Sequence, residues 1–270
     1  MTIPAAPARS PAGRAAGALV HGRTQRHVVV VADRFAQFGR VEHVLTMTEL
    51  RALLSADPAG ADGCEWVVRW GQGIEPEDRE LLDGRVDGDG PIVRVADGEA
   101  LQPPPVAPAL VHKQRPENVL LAGLRIPSEA YCAAELRIHR DNELTLDHYT
   151  GHHVQGMVIV EAMRQICIAQ FEAGYHPRLR HGGYAGVWKR LNLSFEGFLF
   201  PVRATVESEI THADLSRDDS VKFRATTSVR QNGDVAASAE IEYSMIKQSR
   251  IDALERRKAE EAAGRELRER

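Results

Sequence analysis

Between residues 147 and 165 the chain reads Asp-His-Tyr-Thr-Gly-His-His-Val-Gln-Gly-Met-Val-Ile-Val-Glu-Ala-Met-Arg-Gln, and the side chains able to do chemistry are concentrated there. Glu161, Arg164 and Gln165 interrupt a run from Met157 to Phe171 that is otherwise apolar apart from Gln170. A helix apolar on most sides is buried, and a buried Glu or Arg is costly unless it is paired or used. Positions 161, 164 and 165 are i, i+3 and i+4, so they share one face. Desolvation would raise the pKa of Glu161 toward the working range of a general base. Arg164, whose fork suits carboxylates and phosphates alike, could hold a phosphate or orient Glu161. An ion pair between the two is the purely structural alternative.

Three histidines precede the run. His148 is an acid/base candidate near neutral pH, and His152 and His153 stand beside it as substrate-binding candidates. His148 and His152 are four apart, but Gly151 lies between them and no further ligand follows, so no metal site is expected. Gly156 and Met157 open the helix, and free backbone N–H groups there could polarise a thioester carbonyl and hold its oxyanion. Lys113, Arg115, Lys189 and Arg190 could meet a phosphate or an acidic partner, or be solvated charges. Trp188, Phe195 and Cys167 read as packing residues.

These residues need elements to position them. His27–Ala32, Glu65–Trp70 and Ile92–Ala96 read as strands alternating with helices at Thr46–Leu54 and Glu75–Leu82, a small α/β unit over residues 27–100. Its first loop has a single glycine, Gly39, which excludes a dinucleotide fingerprint. The stretch from Asp83 to Gly90 has a calcium-loop flavour but lacks the closing Glu. Residues 1–26 read as a disordered tail, and the prolines of 101–109 as a stiff linker. From 110 to 247 the pattern is a strand over 130–140, the buried helix, and a strand meander at Val187–Phe195, Arg203–Thr211, Val221–Arg230 and Val235–Ile246. Gln231-Asn232-Gly233-Asp234 marks the last hairpin. Residues 248–270 read as a charged, solvated helix. A sheet curled around the helix would explain why the helix is apolar on most sides.

The net charge of −4 makes no case for nucleic acid, and no apolar run approaches a membrane span. Three widely spaced cysteines, Cys64, Cys132 and Cys167, fit a reducing, cytoplasmic compartment.

The segment from Gly156 through Glu161-Ala162 to Gln165 resembles the central helix of hydroxyacyl-ACP dehydratases. The longer string from Asp147-His148 to Arg164-Gln165, with Val111-His112-Lys113 and Asn118-Val119-Leu120-Leu121 upstream, resembles more closely the A-factor biosynthesis (AfsA-type) hotdog family. The resemblance covers roughly residues 110–245. It implies an α+β hotdog fold, a long central helix wrapped by an antiparallel sheet, behind the N-terminal α/β unit. It also implies an acyltransferase that moves a β-ketoacyl group from an acyl carrier protein or coenzyme A thioester to a hydroxyl acceptor such as dihydroxyacetone phosphate. The implied cofactor is none beyond the phosphopantetheine of the substrate. In that reading Glu161, His148 and Arg164 are catalytic, and Gly156, Met157, Gln165, His152, His153, Lys113 and Lys189 bind substrate. Better-known members carry two hotdog repeats and this chain shows one, so a homodimer is expected to complete the site. A dehydratase or thioesterase, or a non-catalytic module that binds acyl groups or carrier protein, are the alternatives.

Overall fold

The computed structural model describes residues 18–20, 23–55, 64–83, 92–96, 103–146, 151–179 and 182–268. The chain divides into two compact units. The first holds the described residues up to Pro103 together with Arg137–Gln155 and Leu199–Arg203. The second holds Pro104–Leu136, Gly156–Phe198 and the described residues from Ala204 on. The first unit thus takes in two segments that the sequence pattern alone places beside the meander.

In the first unit, β2 (Arg23–Val31) is central. β4 (Glu65–Trp70) and then β5 (Ile92–Val95) pair parallel on one side of it. β3 (Val44–Thr46), parallel, and β1 (Ala18–Val20), antiparallel, share the other edge. The β1 hairpin lies inside the segment expected to be a tail. Strands buried on both faces read as continuous apolar runs, as Val28–Val31 does. Helix α1 (Met47–Ser55) buries Met47, Leu50, Leu53 and Leu54 on the core formed by Val28, Val30, Trp66, Val68 and Trp70. It begins with a reciprocal capping box. Thr46 Oγ1 accepts the Glu49 N–H (3.2 Å) and Glu49 Oε2 accepts the Thr46 N–H (2.8 Å). Helix α2 (Pro76–Asp83) starts on a proline, whose missing N–H is no loss there, and α3 (Glu143–Leu146) is a single turn within the 137–155 segment. The expected tail residues 1–17 and most of the calcium-flavoured 83–90 stretch lie outside the described residues.

The second unit is one antiparallel sheet in the order β6-β7-β9-β10-β11-β8. Its strands are β6 (Leu121–Arg125), β7 (Tyr131–Leu136), β8 (Tyr184–Phe195), β9 (Thr205–Asp214), β10 (Ser220–Gln231) and β11 (Asp234–Lys247). Alternation with period two puts Val221, Phe223, Ala225, Thr227 and Val229 of β10 inward, opposite Met245, Tyr243, Ile241, Ala239 and Ala237 of β11. The hairpin between them turns at Asn232 and Gly233, both with positive φ (54° and 92°), the geometry an Asn-Gly pair supplies. Two bulges, at Thr211 in β9 and Lys189 in β8, sit one row apart. A bulge strengthens local twist, so the sheet curls around the long helix α4 (Gly156–Gln170). That helix buries Val158, Ile159, Ala162, Met163 and Ile166–Ala169. It continues as a π turn over Phe171–Tyr175. Helix α5 (Gln248–Glu266) is exposed apart from the buried Ile251 and a few half-buried residues. Strand β7 stops at Leu136 rather than near 140, because the chain from Arg137 on packs within the first unit.

Candidate functional site

The polar stripe of α4 meets a segment more than 40 residues upstream. Pro108–Val111 forms a 3₁₀ turn, and His112 closes it in the left-handed region (φ 52°). The Lys113 N–H then donates to the Pro108 carbonyl at 2.9 Å. This corner aims Lys113 at the helix, where its Nζ lies 2.8 Å from Glu161 Oε1. Arg164 clasps the same carboxylate from the next turn, Nε to Oε2 at 2.7 Å and Nη2 to Oε1 at 2.8 Å. Gln165 completes the group. Its Nε2 donates to Glu161 Oε1 (3.0 Å) and to the Asn118 carbonyl (2.8 Å), while its Oε1 accepts the Leu120 N–H (2.8 Å). Val119, Leu120 and Leu121 are fully buried beside it. The two motifs separated in sequence are therefore one cluster.

The cluster corrects one expectation. Burial does push the Glu161 carboxyl up, but hydrogen bonds from Arg164, Lys113 and Gln165 outweigh it and hold the group below the ordinary 4.5. Glu161 is an anion whose two oxygens already accept four donors, not a base raised toward neutrality. The four side chains carry one net positive charge.

A second carboxylate on α4's continuation was missed by the sequence reading. Glu172 takes His112 Nε2 at 2.8 Å on one oxygen and His176 Nδ1 at 2.6 Å on the other. The His176 ring stacks on Phe171, and its Nε2 meets the Gly182 carbonyl at 2.9 Å. The available signal was the i, i+4 spacing of Glu172 and His176. Burial raises the Glu172 carboxyl and its two histidine partners lower it further than that, so it too sits below 4.5. A carboxyl depressed in the folded state stabilises the fold above its unfolded pKa, and that contribution disappears as pH falls through the folded value. We therefore expect Glu172 to contribute an acid limb, a melting temperature that falls as pH drops below about 4.5. Glu172→Gln should flatten this acid limb in a pH series of thermal melts. A limb of unchanged steepness would show that Glu172 contributes nothing to it.

The remaining candidates are placed as follows. Gly156 begins α4 with the Phe195 ring over it, since a Cβ there would lie 2.9 Å from Phe195 Cζ. The first N–H groups of any helix lack intrahelical partners, so those of Gly156 and Met157 are the ones the turn presents. The Met157 side chain is 61% exposed. Lys189 is the exposed bulge residue of β8 and is not part of the cluster. His152 and His153 are exposed and belong to the first unit. His148 lies outside the described residues. Burial pushes the Cys167 thiol up to about 12 and the Cys132 thiol up as well, so neither is a ready thiolate. Among the described residues no group of three His, Cys, Asp or Glu is placed to hold a metal ion. No described helix is long and apolar enough to cross a membrane.

A long helix wrapped by a six-stranded antiparallel sheet is the hotdog architecture. The family model for the A-factor biosynthesis hotdog domain, AfsA, matches residues 96–247, more than half of the chain, and the chain belongs to that family. Among solved structures, the dehydratase heterocomplex ApeI:P from Xenorhabdus doucetiae is similar at 14% identity and a TM-score of 0.42, over 52% of this chain and 91% of that one. A hypothetical thioesterase with coenzyme A from Streptococcus pneumoniae is similar at 12% identity and a TM-score of 0.34, over 47% and 86%. A thioesterase from Pseudomonas aeruginosa is similar at 12% and 0.33, over 46% and 80%. No curated protein matches the chain in sequence.

Proposed function

We propose that the hotdog unit is an acyl-thioester-dependent transferase, which passes an acyl group from a carrier-protein or coenzyme A thioester to a hydroxyl acceptor such as dihydroxyacetone phosphate. The observation that carries the reading is the AfsA match, which spans both motifs and the whole of α4. The thioester C–S bond breaks and an ester C–O bond forms, and the hydroxyl proton ends on the released thiol. Backbone N–H groups at Gly156 and Met157 would polarise the thioester carbonyl. Lys113 and Arg164, held on Glu161, give the unit a cationic face suited to a phosphate. For the hydroxyl proton the reading keeps His148, and His152 and His153 stay substrate-binding candidates, on the ground of their place in the chain directly before α4. No cofactor is needed beyond the substrate's own phosphopantetheine.

The test is incubation with a β-ketoacyl carrier protein, with and without dihydroxyacetone phosphate, followed by mass spectrometry. Thiol release that depends on the acceptor, with an acylated acceptor mass, is the expected result. Release without acceptor would replace the transferase by a thioesterase. Loss of water from a β-hydroxyacyl thioester would replace it by a dehydratase. Binding without turnover on any of these would leave a non-catalytic acyl module.

The same reading includes a homodimer. The outer edge of β6 is covered by residues 104–106, through the Pro105–Ala122 bridge and the Val106 N–H to Leu121 carbonyl bond. The outer edge of β8 pairs with nothing among the described residues. Its inward row, Trp188, Leu191, Leu193 and Phe195, is half-buried to exposed, with Phe198 exposed just beyond it. An open edge beside exposed apolar side chains is a pairing surface. Light scattering on the eluting protein is expected to give twice the chain mass, and Leu193→Lys should halve it. A wild-type mass equal to one chain would overturn this part of the reading.

A further inference from the structure

In an open α/β sheet the ligand site lies beyond the carboxyl ends of the parallel strands. In the first unit that place is filled by the chain itself. After β4 the turn Gly71-Gln72-Gly73 lies against the end of β2, with the Gly71 N–H on the Val30 carbonyl (2.7 Å) and the Ala32 N–H on the Gln72 carbonyl (3.1 Å). A side chain at Gly71 would meet the Pro201 carbonyl at 2.8 Å, and at Gly73, where φ is 77°, a Cβ would lie 2.6 Å from the Ala32 Cβ and 3.6 Å from the Arg140 α-carbon. Gln72 is completely buried. Its backbone N–H donates to the Pro201 carbonyl (2.9 Å) and its Nε2 to the Val202 carbonyl (3.1 Å), while its Oε1 accepts the Ile138 N–H (2.7 Å). One side chain thus ties together two connections more than 60 residues apart.

Charges extend the grip along the first connection. Glu75 holds Arg137 at 3.0 Å, and the buried Asp78 holds Arg140 and, at 3.1 Å, Arg51. Arg34 donates to the Arg140 carbonyl and, at 2.7 Å, to the Thr145 carbonyl. Further on, the Val154 N–H donates to the Leu199 carbonyl at 2.7 Å, which closes the two connections on each other.

We propose that the N-terminal α/β unit is a peptide-binding module whose ligand is this chain's own connections, residues 137–145 and 199–203, and that Gln72 is the positioning residue of the clamp. In sequence the held connection is followed by the histidines that the acyl-transfer reading uses, His148, His152 and His153. This gives residues 23–83 a task that needs no external ligand.

The experiment is hydrogen–deuterium exchange by mass spectrometry on the full chain, wild type against Gln72→Ala. Exchange over 138–146 and 151–155 is expected to rise at least ten-fold, while β2, β4 and the second unit's sheet keep their protection. The half-buried Arg34→Ala, which removes two carbonyl contacts without opening the core, should raise exchange over 140–146 alone, and it decides the matter if Gln72→Ala does not fold. Unchanged exchange in these segments would overturn the proposal, as would a rise shared equally by β2 and β4. The functional arm rests on the acyl-transfer reading: Gln72→Ala should lower kcat at least five-fold with KM for the thioester nearly unchanged, and an unchanged kcat in a loosened loop would remove Gln72's positioning role. A wild type without turnover would end the transfer reading, and the clamp would be judged on exchange alone.

Discussion

Gln165→Leu is expected to destabilise the protein more than any other single change in the α4 stripe, by about 3–5 kcal/mol. The leucine fills the space but makes none of the three bonds. The Leu120 N–H is fully buried, and it loses its acceptor; the Asn118 carbonyl loses its donor. An orphaned buried donor such as the Leu120 N–H costs about 1–3 kcal/mol, and each of the other two lost bonds about 1 kcal/mol. Urea unfolding measures it. A loss below about 1 kcal/mol, the net value of one ordinary hydrogen bond, would mean that water or a shifted backbone replaces the amide. Gln165→Glu separates the two halves of the argument. It keeps the acceptor for Leu120 but turns a carboxylate toward Glu161, so its deficit should shrink as pH falls and the new acid is protonated.

Glu161→Gln carries the second large effect and distinguishes two roles for this residue. The amide has the shape of the carboxylate but cannot accept at both ends, and it leaves Lys113 and Arg164 without a counter-charge. Breaking one partner out of a largely buried charge cluster is costly; with Lys113 and Arg164 partly exposed, about 2–3 kcal/mol is expected. Melting should fall by about 5–10 °C for a chain of this size. Removing Lys113 as well should recover part of the loss, and a double-mutant cycle should give a coupling of about 1–2 kcal/mol. If Glu161 were instead a free general base, the variant would fold as well as wild type and lose turnover alone. An unchanged melting temperature would therefore return the residue to that role.

The sequence made α4 legible because its signal is local. The apolar run, the three polar residues on one face and the glycine at its start all lie within one helix. The β10–β11 hairpin was legible for the same reason, from strict alternation around Asn232-Gly233. The short β6 was not, since Gly123, with φ 59°, breaks its alternation within five residues. The environment of Glu161 was not legible either. Burial could be read from its neighbours in the helix, and burial alone raises a carboxyl. The sign of the shift is set by donors, and one of them, Lys113, is delivered by a turn 48 positions earlier. The Glu172 pair escaped for a similar reason: His112 belongs to a motif whose partner helix residue lies beyond the conspicuous stripe. The use made of residues 137–155 by the first unit depends on Gln72, whose amide gives no pattern in sequence.

His112 and Lys113 are adjacent, yet each is paired with a different carboxylate of the α4 run, Glu172 and Glu161. Eleven residues separate these acids, close to three full turns, so they project within about 20° of each other. The pair of contacts works as a phase gauge on the helix. Inserting or deleting one residue between 161 and 172 would swing the far acid by about 100° and strand His112, whereas a change of three or four residues would nearly preserve the phase while altering the reach. Among relatives in which both contacts persist, length changes in this stretch are expected only in such near-whole-turn steps, however freely the side chains between them vary.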